Sequence, residues 1–224
     1  MCGRYKLSET YNELARLFGL SNSINLRPRF NIAPTQDVLA VVDDAETKGR
    51  RGEMMRWGLV PVWAKDVKIA YSLINAKAET VAEKPAFRDA LKNRRCIIPA
   101  DGFYEWQKLD AKGKQPYAIV MKDRGVFGFA GLWERWTDKA SGEVIRSCTI
   151  VTTEPNALLA PIHNRMPVIL EPDGYAKWLG EQPATNDELR ALLKPYSAKR
   201  MDAFKIGPRI GNVKNDEPSL VEPV

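Results

Sequence analysis

Apolar positions along this chain change their period several times, and each change marks a predicted element. Leu14, Leu17 and Phe18 recur at helical spacing behind Thr10 and Glu13, which are spaced as a capping box, and Gly19 supplies the stop. A short amphipathic helix is predicted there. Residues 24–35 are rich in Pro and Asn and end in Asn31-Ile-Ala-Pro34, the pattern of an ordered but irregular loop. Residues 38–42 then read as a buried strand. Further strand patterns cover 53–59, 96–99, 102–107, 117–121, 126–132, 144–152 and 167–170. Turn signals at 110–113, 123–125 and 139–142 separate several of them closely enough for antiparallel hairpins.

Helical patterns interrupt the strands at about 85–91, 155–159, 173–179 and 186–193, the last with Thr185 and Glu188 as a second capping box. Strands outnumber helices and do not alternate with them regularly. The expectation is an α+β fold, with one domain the default at this length and two small ones possible, built on an antiparallel sheet or barrel, and not a doubly wound fold. The tail over 211–224 reads either as a disordered end or as a segment docked through Ile210-Gly-Asn-Val213.

Charge and composition narrow the chemistry. Lys and Arg number 34 against 28 Asp and Glu, a formal charge of +6 over 224 residues with the single histidine neutral, which favours an anionic partner without specifying one. No run approaches the roughly 18 apolar residues of a membrane span, and Met1-Cys-Gly-Arg-Tyr-Lys is not a signal sequence. An intracellular protein with no membrane partner is expected. Cys2, Cys96 and Cys148 lie far apart and outside CxxC spacing, and His163 stands alone, so neither a disulfide framework nor a metal site is expected. No cofactor is called for.

Cys2 is the most informative residue. A small side chain at position 2 permits removal of Met1, which would leave a terminal cysteine with an α-amine of pKa about 7.7–8.0 beside a thiol of about 8.5. That pair suits an aldehyde: the amine condenses to a Schiff base and the thiol closes onto the same carbon as a thiazolidine. The plain alternative is a buried structural thiol. Glu105, among the aromatics of Asp101-Gly-Phe-Tyr-Glu-Trp106, is either a desolvated proton-transfer group or a strand residue facing solvent. His163 has the only side chain that ordinarily titrates near neutrality, and Asn75 either orients a substrate oxygen or makes a turn. Trp57 and Trp63, followed by Lys65 and Lys68, carry the ring-and-cation pattern of a single-strand nucleic-acid site, or else the tryptophans are core. Cys96 and Cys148 read as inert core.

Met1-Cys-Gly-Arg4, Asn31-Ile-Ala-Pro34, Trp57-Gly-Leu-Val-Pro61 with Trp63-Ala-Lys65, Asn75-Ala-Lys-Ala-Glu-Thr80, Asp101-Gly-Phe-Tyr-Glu-Trp106, His163-Asn-Arg-Met-Pro167 and Gly211-Asn-Val-Lys-Asn215 follow in an order that resembles the SOS-response-associated peptidase family. The resemblance covers essentially the whole chain. It implies a single α+β domain over residues 1–224 around a distorted antiparallel barrel with peripheral helices, and an abasic-site processing protein with a basic channel for single-stranded DNA, junctions with duplex included, placed in a bacterium in the cytoplasm at the nucleoid. The oligomeric state is not readable from the sequence, and a monomer is expected. Cys2 would link to the abasic sugar, with Asn75, Glu105 and His163 at the other active-site positions. Arg4 and Arg165 would hold phosphates, Lys65, Lys68 and Lys77 would line the channel, and Trp57 and Trp63 would turn the strand. Lys77 and Asn164 stand where arginine and aspartate are frequent.

The implied enzyme crosslinks itself to the ring-opened sugar, with abasic-site lyase activity and self-processing of Met1 as associated reactions. Two rivals use the same residues: a cysteine peptidase with Cys2 as acyl nucleophile and His163 as base, and a non-catalytic binder of single strands.

Overall fold

The computed structural model describes residues 2–44, 49–109 and 113–224. Its first helix, α1 (Tyr11–Phe18), starts at Thr10, whose side chain accepts from the Glu13 N–H, and stops at Gly19 in the left-handed region with φ 68°. Only half of the expected capping box forms. Glu13 turns its carboxylate to Arg16, and the Thr10 N–H is taken by Glu9. The box at Thr185 and Glu188 is complete and opens α4 (Asn186–Leu192). The other helices are α2 (Arg88–Asn93) and α3 (Tyr175–Leu179). Among the described residues no helix is long and apolar enough to cross a membrane.

Among the described residues thirteen strands carry the fold. They are β1 (Tyr5–Leu7), β2 (Arg29–Ile32), β3 (Asp37–Asp44), β4 (Gly49–Trp57), β5 (Asn75–Lys77), β6 (Arg95–Ala100) and β7 (Gly102–Leu109), followed by β8 (Gly113–Met121), β9 (Phe127–Thr137), β10 (Val144–Thr153), β11 (Met166–Pro167), β12 (Ile169–Leu170) and β13 (Met201–Lys205). Five of them close a barrel in the order β4, β3, β6, β9, β10, with β10 returning to β4. The closing pairs, Ser147 with Arg56 and Cys148 with Trp57, are parallel, as is β5 on β10. All-antiparallel pairing is thus corrected at β10. The apolar run Val38–Val42 is buried throughout, because its strand is covered on both faces.

A second sheet, β13-β8-β7-β1-β2, lies against the barrel. Phe129 of β9 joins the two edge-to-face, at 5.8 Å from Tyr5 and 6.0 Å from Phe103, and Tyr5 meets Trp57 of β4 at 5.4 Å. On the far side, Tyr104 and Ala118 are covered by Ile206, Ile210 and Leu220. The tail therefore docks. Asp216 fixes it by accepting from Arg29 Nε at 2.7 Å and from the Phe30 and Asn31 N–H groups, which also makes a strand of the expected loop at 29–32.

Two other expectations are revised. Residues 155–159 form turns and not a helix, since Asn156 Oδ1 binds the Leu158 and Leu159 N–H groups and the single turn goes no further. The strand expected at 167–170 splits into β11 and β12 around Val168, whose N–H turns to the Val151 carbonyl.

Candidate active site

The β1–β7 ladder brings Cys2 to Glu105. Tyr5 pairs with Phe103 and Lys6 with Gly102, and the Tyr104 N–H donates to the Arg4 carbonyl at 3.0 Å, so the chain before β1 runs along β7 toward Glu105. Asp101 locks this register by accepting from Lys6 Nζ at 2.9 Å and from the Ser8 N–H and hydroxyl at 2.8 and 2.6 Å. Cys2 is wholly enclosed. Burial, and next the Glu105 charge, hold its thiol far above the ordinary range. Met1, whose removal is expected, lies outside the described residues.

Glu105 is 2% exposed, and burial lifts its carboxyl to about 7, against a hydrogen bond from the Trp106 backbone. Its expected alternative, a solvent-facing strand residue, is excluded. His163 Nε2 lies 3.8 Å from Glu105 Oε2. On the other side of the ring, Nδ1 lies 3.0 Å from the Arg165 N–H, which it accepts when the proton is on Nε2 facing the carboxyl, and 3.2 Å from the Arg165 carbonyl, to which it donates in the other tautomer. Burial lowers the histidine's pKa. The site thus joins a carboxyl raised toward neutrality to an imidazole lowered below its ordinary range, an order of titration suited to moving protons.

Asn75 approaches along β10. Its partner there is Ile150, Lys77 pairs with Thr152, and strand alternation puts Asn75 and Lys77 on one face with Ala76 buried on the other. The next pairing, Thr152 with Pro167, brings β11 and the His163 loop to the opposite edge of β10. Asn75 Nδ2 reaches the Ile150 carbonyl at 3.4 Å, whereas its enclosed Oδ1 has no partner among the described residues. No side-chain hydrogen bond joins Asn75 to Cys2, Glu105 or His163 among the described residues.

Both arginines expected to hold phosphates are engaged with the protein. Arg4 donates to Asn31 Oδ1 and the Ile210 carbonyl at 2.8 Å and to the Gly211 carbonyl at 3.1 Å. Asn31 in turn donates to the Ile210, Asn212 and Asn215 carbonyls, so the segments around Arg4, Asn31 and 211–215 form one clasp behind Cys2. Arg165 makes a two-point pair with Glu79 at 2.6 and 2.9 Å and donates to the Thr152 carbonyl at 2.7 Å.

Trp57 is corrected to a core residue. Its ring is fully buried and its Nε1 donates to the Ile74 carbonyl at 2.9 Å, so it cannot stack on a base. Trp63 is 56% exposed. It belongs to an excursion that leaves the sheet at Gly58 and rejoins it at Asn75, packs Val60, Val67, Ile69 and Ala70 around Trp136, and turns Val62, Trp63, Lys65, Lys68 and Tyr71 outward. Tyr71 was not singled out by the sequence reading.

Gln107 is a second missed residue. It shares a strand face with Glu105, and its Nε2 donates to the Pro161 carbonyl at 2.9 Å while its Oε1 accepts from the Tyr117 hydroxyl at 3.2 Å, which moors the His163 loop. Its spacing of two from Glu105 was the available signal. Beside that loop opens a cleft of about 370 Å³ lined by Trp106, Lys108, Lys114, Ile162, His163 and Asn164. A cavity of about 680 Å³ near Arg27, Arg29 and Arg56 contains none of the candidate residues.

A profile of the SOS response associated peptidase (SRAP) family matches residues 1–213. Among similar proteins, the abasic site processing protein YoqW of Bacillus subtilis is 43% identical over 225 aligned positions, covering 99% of each chain. The abasic site processing protein HMCES of Pongo abelii is 31% identical, over 90% of this chain and 65% of its own. A crystal structure of a protein from Bacteroides thetaiotaomicron superposes over the full length of both chains with a TM-score of 0.91 at 29% identity.

Proposed function

The chain belongs to the SOS response associated peptidase family, and from that membership we propose that it binds single-stranded DNA at an abasic site and joins itself covalently to the sugar through Cys2. The observation that carries this reading is the Glu105–His163 pair, 3.8 Å apart and beside an enclosed thiol. The names of its relatives in Bacillus subtilis and Pongo abelii support the abasic substrate.

An abasic deoxyribose is mostly a closed ring, and opening it needs a proton at the ring oxygen and the loss of one from the C1′ hydroxyl. The Glu105–His163 pair serves both: His163 gives its Nε2 proton to the ring oxygen, the Glu105 carboxylate takes the proton of the C1′ hydroxyl, and that proton then passes from Glu105 to His163. With Met1 gone, the Cys2 amine adds to the C1′ aldehyde. Glu105 gives a proton to the departing hydroxyl as the carbinolamine loses water to become a protonated imine. The buried thiol then passes its proton to the Glu105 carboxylate as sulfur closes on C1′, and the amine keeps a single proton in the five-membered thiazolidine. One water is lost overall. Asn75 Oδ1, enclosed and without a partner among the described residues, accepts from a hydroxyl of the open sugar.

Elimination of the 3′ phosphate competes at the imine, so thiol capture protects the strand, and lyase activity marks its failure. Exposed Trp63, Tyr71, Lys65, Lys68 and Lys77 support a strand-binding surface. The reading carries with it an intracellular setting at the chromosome, in which single-strand gaps and their junctions are the substrates.

Incubation with abasic single-stranded DNA without borohydride, followed by a denaturing gel, tests the reading. The native chain should form a stable adduct and Cys2→Ala none. A stable adduct of equal yield from Cys2→Ala would refute Cys2 as the linking residue.

A further inference from the structure

The hairpin of β7 and β8 holds an unusual pair of charges. Lys108 and Lys114 are direct partners in its register, and both are exposed. Side chains opposed in this way lie on one face with their Cβ atoms about 4.5–5.5 Å apart, where like charges oppose pairing. Elsewhere the chain balances such crowding: Arg51 and Arg146 share the Glu53 carboxylate. Neither lysine has an ion-pair partner among the described residues. Both line the same cleft as His163 and Asn164, with Trp106 beside them. A pair of ammonium groups lining one cleft, set against each other and without a carboxylate partner among the described residues, is satisfied by an anion between them.

We propose that Lys108 and Lys114 clamp one backbone phosphate of the single strand, the phosphate next to the abasic sugar on the His163 side. The inference rests on the reading that the reacting strand enters this cleft. Lysine suits the task as a mobile point charge that follows a flexible phosphodiester without demanding two-point geometry. The clamp also accounts for phosphate contact near His163 while the Arg165 guanidinium is held by Glu79 and Thr152. It is distinct from the exposed 58–74 excursion, which is joined to the barrel elsewhere.

The test compares the native chain with the Lys108→Ala/Lys114→Ala double variant on two substrates. With an intact single strand, anisotropy measured over a range of salt should show the logarithmic slope falling by about 0.7 in the variant, the value for one phosphate of a single strand. With abasic strands carrying one methylphosphonate at successive positions, adduct formation by the native chain should slow at one position beside the lesion. The double variant should be slower on the unmodified strand and indifferent to the modification there. Both side chains are exposed, and coincident thermal unfolding of the two proteins verifies the fold.

An unchanged salt slope, or the same position-specific sensitivity in the double variant, overturns the clamp while adduct formation by the native chain leaves the proposed function standing. If the native chain forms no adduct with any strand, the proposed function fails, and the salt slope on intact DNA alone decides whether the lysines bind phosphate.

Discussion

Burial lifts Glu105 from the ordinary carboxylate range to about 7, and this has consequences for folding as well as for the proton transfer proposed above. Between about pH 4.5 and 7 the folded chain keeps a proton that the unfolded chain has released, so this group's contribution to stability falls as pH rises through that window and levels off above it. At about 1.36 kcal/mol per decade the loss is on the order of 3 kcal/mol. His163, lowered by burial, acts in the opposite sense and only on the acid side, where stability falls as pH drops below about 6.5. Glu105→Gln removes the carboxyl titration. Measured by denaturant unfolding, the variant should gain stability relative to the native chain between pH 5 and pH 8, whereas an equal difference at both would mean that Glu105 is ionised throughout. The same variant should form and reverse the adduct more slowly, by about 10²- to 10⁴-fold. The chemistry-bearing residue types were legible in the sequence, but the side to which Glu105 turns was not. Positions 102–105 are all buried, because one face of β7 meets the barrel and the other meets the tail, so alternation carries no signal there.

At the scale of elements, length decided what could be read. The long apolar runs of β3, β6, β9 and β10 stand out because burial on both faces leaves little choice of residue. β1 and β5 have three residues each and exist through their neighbours, β1 through β7 and the Asp101 contacts, β5 through β10. The 58–74 excursion depends on one backbone position. Gly58 adopts φ 122°, and a Cβ there would come within 2.8 Å of the Ala70 carbonyl oxygen. Gly58→Ala should therefore cost about 1–3 kcal/mol of stability and weaken single-strand binding by displacing Trp63 and Tyr71. Thermal unfolding and anisotropy check this; unchanged stability would mean that the excursion shifts freely.

Across the whole molecule, a five-stranded barrel and a five-stranded sheet meet through Tyr5, Phe103 and Phe129, and the chain brings Cys2, Glu105 and His163 together from three distant stretches. The α+β class was legible from strand number and irregular alternation, which left sheet and barrel as alternatives. The parallel closure of β10 on β4 and the clasp of Arg4, Asn31 and the tail were not, since they join positions roughly 90 to 200 residues apart and leave no local pattern. The clasp gives Arg4 a structural role: it ties the chain beside Cys2 to Asn31 and the tail. Intact mass spectrometry of the purified protein, before and after incubation with an abasic single strand, tests the central claim most directly. The account predicts a starting mass without Met1 and a product heavier by the oligonucleotide less one water. An adduct formed by a chain that retains Met1 would contradict it, because the Cys2 nitrogen would then be an amide and could not close the thiazolidine.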